Sequence, residues 1–89
     1  MILLISYNLN NTGKDYSSFY NTIKSADSWW HYIKSIWMIK TTLGVDEWNE
    51  RLHAQMAPGD HLLIVDVTNQ NRNGWLPKDA WKWIKDNNY

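Results

Sequence analysis

The sequence predicts an α+β fold: an antiparallel sheet of four strands, two helices on one face of it, and a further helix at the C-terminus. Three observations carry that expectation. Residues 29–41, WWHYIKSIWMIKT, are mostly aromatic or β-branched on either side of Lys34, as in two strands joined by a tight turn. An apolar strand and an amphipathic helix precede this pair, and a second helix and strand follow it. No repeat, linker or low-complexity tract interrupts the 89 residues, so 1–89 reads as one domain.

The first strand is Ile2 to Tyr7, apolar on both faces at its start, and the Asn-, Thr- and Gly-containing segment 8–13 is a loop. A helix is expected from about Asp15 to Ala26. Tyr16, Phe19, Tyr20, Ile23 and Ala26 fall on one face of it, with Asp15 at the N-cap. Trp29 to Ile33 and Ser35 to Thr41 are the next two strands. In the second of these Ile36, Met38 and Lys40 face one way, and Trp37, Ile39 and Thr41 the other. Gly44 caps a second helix whose stripe is Val45, Trp48, Leu52 and Met56. Asp46 and Glu47 favour its N-terminus, and Pro58-Gly59 ends it. His61 to Thr68 is the fourth strand. Pro77 opens a last helix running to about Asn87, with Ala80, Trp81 and Ile84 on one face. The order β-α-β-β-α-β is the split βαβ, or ferredoxin-like, arrangement.

Composition narrows the function. Seven tryptophans are more than a small core needs, because each hides roughly 150–250 Å² when buried. The surplus belongs in an interface or a ligand site. A formal net charge of +0 gives no global field toward nucleic acid or an anionic membrane. The absence of cysteine removes disulfides, thiol nucleophiles and cysteine-ligated zinc, and fits a reducing compartment. The opening apolar run is too short for a signal peptide or a membrane span, so a cytoplasmic location without membrane contact is expected. Several strands are apolar on both faces while only two helices cover one face. The second face must therefore be covered by the last helix or by another copy of the chain. A homodimer or higher homo-oligomer packed sheet against sheet is the favoured expectation.

Tyr7-Asn8-Leu9, Ser35-Ile36-Trp37 and the run Gly74-Trp75-Leu76-Pro77-Lys78-Asp79-Ala80-Trp81 together resemble small bacterial and phage proteins. These belong to the CRISPR-associated adaptation-endoribonuclease superfamily, in its SinR-like branch. The resemblance spans nearly the whole chain and implies a ferredoxin-like dimer. It also marks a departure. Active relatives carry a metal-binding aspartate where this chain has Asn8, and hard cations prefer a charged carboxylate. Asp60 and Asp66 would compensate only if the fold brought them close.

Each candidate binding residue has two readings. Tyr7 and Asn8 close a strand ahead of a polar loop, a place for binding groups or for a core-edge tyrosine and a turn residue. Trp29 and His31 share one side of their strand, and Trp30 and Tyr32 share the other. One pair faces the core, and the other offers a stacking platform for a base or packs in an interface. Asn71, Arg72 and Asn73 form a loop able to grip a phosphate through the guanidinium and to read a base or ribose edge through the carboxamides. The plainer reading is a disordered, hairpin-like loop. Trp75 follows that loop, and Lys78 begins a strip with Lys82 and Lys85 that is either solvated surface or a phosphate contact. His31, His53 and His61 lack metal-ligand spacing, and no metal, cofactor or catalytic set is expected.

The favoured function is a non-catalytic oligomeric binding protein for a nucleotide-type ligand. A phage-encoded sponge for a nucleotide immune signal, acting in the host cytoplasm, is its specific form. The alternatives are a metal-dependent endoribonuclease or RNA- or DNA-binding subunit, as the resemblance implies, and a protein-interaction module.

Overall fold

One of the two central strands of the sheet is β1, Ile2–Asn8, and the computed structural model describes residues 1–87 around it. The other elements are α1 (Ser17–Lys24), β2 (Ser28–Ile33), β3 (Ile36–Lys40), α2 (Val45–His53), β4 (His61–Asp66) and α3 (Lys78–Asn87). The strand order is β2-β3-β1-β4 and every neighbouring pair is antiparallel. Ile5 lies opposite Trp37 on one side and Ile64 on the other. This is the expected α+β, ferredoxin-like sheet with an added C-terminal helix.

Alternation along the strands sorts the side chains onto two faces. Leu3, Ile5, Trp37 and Ile39 meet Phe19 and Ile23 of α1 and Trp48 and Leu52 of α2 in the main core, with Leu62 and Ile64 of β4 packed at its edge. On the opposite face Trp30 of β2 packs with Ala80 and Ile84 of α3, flanked by Ile36, Met38, Leu76, Trp81 and Trp83. The last helix therefore folds back, as one of the two expectations required. It covers the β2–β3 half of the face; on β4, Leu63 remains 62% exposed and Val65 41%.

The element ends differ from the sequence expectation for local reasons. Tyr16, not Asp15, occupies the cap position of α1. The Asp15 carboxylate, one residue earlier, still accepts the Ser17 N–H at 2.9 Å and its hydroxyl at 2.6 Å. α2 ends at His53, and the chain then turns through Gln55 N–H to Leu52 O and Met56 N–H to His53 O. β4 stops at Asp66, whose carboxylate takes the Thr68 N–H and hydroxyl. Pro77 caps α3 instead of opening it, its carbonyl accepting the N–H groups of Ala80 and Trp81.

The β2–β3 turn is Lys34-Ser35, and neither residue has a positive φ. A two-residue loop without that geometry splays its strands. The β2–β3 ladder accordingly loses register between Trp30 and Ile33. No helix among the described residues is long and apolar enough to cross a membrane.

Asp60 joins the first loop to the connection between α2 and β4. It accepts the Asn10 N–H at 2.7 Å, the Tyr16 hydroxyl at 2.6 Å and the Ala57 N–H at 2.8 Å. The Tyr16 hydroxyl, helped by the two amides and opposed by desolvation, holds this carboxyl below the usual carboxylate range. A folded-state value below the unfolded one adds stability that is complete above the unfolded pKa and lost as pH falls through the folded one. Thermal unfolding followed from pH 7 to pH 2 should show Tm falling through the acid range. Asp60→Asn should lower Tm at neutral pH and flatten that acid limb.

Candidate functional site

Two concave features flank the sheet, one on each face. The first lies between the sheet, α3 and the irregular segment 69–77, and encloses about 310 Å³. Its floor is Leu4 of β1 with Ile36 and Met38 of β3, and Trp30, Trp81 and Ile84 wall the α3 side. The pleat explains the floor: even-numbered residues of β1 and β3 point away from the main core. Gln70, Asn71, Arg72 and Asn73, consecutive after β4, supply the polar lining. Gln70 N–H to Val67 O starts this segment, and Asn69 with φ 57° turns the chain. Asparagine tolerates that left-handed conformation better than most residues. Arg72 has no ion-pair partner among the described residues.

The second feature is an open groove of about 450 Å³ between α1 and β2, lined by Tyr20, Lys24, Trp29, His31 and Trp37. The His31 ring stacks on Trp37 with centroids 3.8 Å apart and planes 13° from parallel. His31 Nε2 lies 3.0 Å from the Lys34 carbonyl, so the tautomer protonated at Nε2 donates there. Trp29 tilts against Trp37 at 5.3 Å, and the Lys24 ammonium lies 5.5 Å from the Trp29 ring.

The residues singled out from the sequence are thus distributed over both faces. Asn71, Arg72 and Asn73 line the cavity, while Trp29 and His31 line the groove. Tyr7 sits beneath the groove as a support. Its hydroxyl accepts the Trp37 indole N–H at 2.9 Å, and its ring packs edge-on against Phe19 at 5.2 Å. Burial pushes the Tyr7 phenol above its ordinary pKa, partly offset by the Trp37 hydrogen bond. Asn8 is exposed at the end of β1 opposite His61. Trp75 is 100% exposed and lines neither feature, although the next residue, Leu76, lines the cavity. Lys78 is exposed at the start of α3; further along the same strip, Lys82 pairs with Asp86 at 2.8 Å.

Neither aspartate stands in for a carboxylate at position 8. Asp66 pairs with Leu3 at the far end of the β1–β4 ladder, and both oxygens of Asp60 are engaged by its three donors. Among the described residues no three His, Cys, Asp or Glu side chains are grouped to hold a metal ion.

The sequence did not single out Gln70, Trp81 or Lys24 as binding residues. Gln70 adjoins the Asn71–Asn73 run, and Lys24 stands four residues after Tyr20 on α1, so both carried a local signal. Trp81 carried none, because its role depends on where α3 lands. No family model, curated protein or solved structure matches the chain.

The Tyr7–Trp37 pair makes a direct prediction. Tyr7→Phe leaves the Trp37 N–H without an acceptor and should cost about 1–3 kcal/mol in urea unfolding. A smaller loss would mean that water replaces the phenol.

Proposed function

We propose that the chain is a non-catalytic binding protein for a nucleotide-type ligand, held in the cavity between the sheet and α3. One observation carries this reading. An apolar, partly aromatic chamber is bordered on one side by a guanidinium with no ion-pair partner among the described residues and by three carboxamides. A flat ring gains from the apolar walls, and a phosphate gains from the two parallel hydrogen bonds that a guanidinium offers. The carboxamides supply donors and acceptors for a base or ribose edge. About 310 Å³ is at the small end of ligand sites. That size favours one base with its sugar or phosphate over a longer oligomer.

The open half of the same face supports a homodimer. Leu63 and Val65 stand exposed on β4, on the same face as Leu4 of β1, beside the half that α3 covers. Stable interfaces bury about 800 Å² per partner, often around such an apolar centre. A sponge for a nucleotide immune signal would be this binding protein at high abundance, and it needs no chemistry beyond the cavity.

Thermal-shift and calorimetric titration with linear and cyclic nucleotides tests the ligand. A filled site at 100 times Kd should add about 2.7 kcal/mol of stability. Arg72→Ala should weaken a nucleoside monophosphate about tenfold or more while leaving the bare nucleoside nearly unchanged. Absence of a shift with any nucleotide would overturn the reading. For the dimer, sedimentation velocity should show two subunits for the unaltered chain and one for Leu63→Lys. A unaltered chain that sediments as a monomer would remove that part of the proposal.

A further inference from the structure

The groove between α1 and β2 lies on the opposite face of the sheet from the cavity, and the ligand proposed above does not use it. We infer that this groove is a second, independent site that takes single-stranded nucleic acid over two successive nucleotides.

The geometry of β2 is the first argument. Trp29 and His31 are two residues apart on one face of an edge strand, and both rest on Trp37. Strand rise sets their backbone positions about 6.7 Å apart. That is too far for bases stacked on each other at about 3.4 Å. It suits an opened pair with one base on each ring.

Both rings are presented and fixed. Trp29 is 42% exposed, whereas its neighbour Trp30 is 2% exposed. His31 is exposed but held flat by Trp37 beneath it and by the Lys34 carbonyl at its edge. Rings fixed in this way lose little freedom when a base settles on them. Aromatic platforms of this kind accept any base, since every base has a π face.

Charge is the third argument. The Lys24 ammonium lies over the Trp29 ring, 5.5 Å from its centroid, and Lys24 is the lysine that lines the groove. No carboxylate lines it; Asp27, the nearest acid in sequence, is not among its lining residues. One lining lysine matches a single phosphate contact and would not hold a long polyanion, in keeping with the chain's zero net charge. A peptide strand added to this edge would need a regular ladder to extend, and β2 loses register between Trp30 and Ile33.

The test is fluorescence anisotropy of the full chain with fluorescein-labelled oligo-dT and oligo-U hexamers, beginning at about 50 mM salt. The hexamers should bind, more weakly as salt rises, and a duplex of the same length should bind far less. Trp29→Ala should weaken binding about tenfold or more. Lys24→Gln, at an exposed position that leaves the fold intact, should reduce the log–log salt slope by about 0.7. Arg72→Ala should leave hexamer binding unchanged, which separates this site from the cavity. Hexamers that fail to bind, an unchanged salt slope in Lys24→Gln, equal affinity for duplex, or Arg72→Ala weakening binding as much as Trp29→Ala would each overturn the inference.

Discussion

A buried indole leaves one N–H that must find an acceptor, and in this molecule that requirement is what ties the elements together. Trp30 donates to the Ala80 carbonyl, Trp37 to the Tyr7 hydroxyl, and Trp48 to the Thr41 hydroxyl. The half-buried Trp83 donates to the Ser28 hydroxyl at 2.7 Å. An unpaired buried donor costs about 1–3 kcal/mol, a large share of the stability of a small domain. Each pairing joins two different elements: β2 to α3, β3 to β1, α2 to the end of β3, and α3 to β2 again. No buried side-chain nitrogen or oxygen among the described residues lacks a partner. The indoles thus provide bulk for the core and also fix where the last helix docks.

This division of labour accounts for how the two concave features arise. Trp37 forms the floor of the groove because its ring belongs to the main core and its exposed neighbours lean on it. Trp30 is its counterpart on the other face, where it anchors α3 and forms one wall of the cavity. Adjacent strands therefore contribute one large ring to each face, and each ring serves packing on one side and a recess on the other. Tyr7, Phe19 and Tyr20 complete the support around Trp37 with edge-on contacts at 5.2 to 6.0 Å. Such contacts restrain ring orientation more tightly than aliphatic packing does.

The order of elements and the alternation of side chains along each strand were legible in the sequence because they follow from periodicity. The separation of Trp37 and Ile39 from Ile36 and Met38 needed only the pleat, whereas which pair meets α1 and α2 and which meets α3 did not follow from it. Helix stripes such as Phe19-Ile23 and Trp48-Leu52 needed only the 3.6-residue repeat. Element ends were less legible, since Asp15, Asp66 and Pro77 act through hydrogen bonds one or two residues away from where propensity places the boundary. The sites were least legible. Arg72 and Trp81 share the cavity only because α3 returns across the sheet, and that return depends on a bond between Trp30 and Ala80, fifty positions apart. Tyr7 and Trp29 are both aromatics next to a strand end. Only three-dimensional packing makes one a hydrogen-bonded support and leaves the other facing solvent.

Covering half a sheet with a helix that buries little of itself has a kinetic consequence. Within α3 only Ala80 and Ile84 are fully packed, and two indole hydrogen bonds hold the helix to β2. Segments with so few anchors detach at lower free energy than the strands beneath them, as sub-global units of their own. Lifting of α3 uncovers Trp30 and the β2–β3 half of that face while β1 to β4 stay paired.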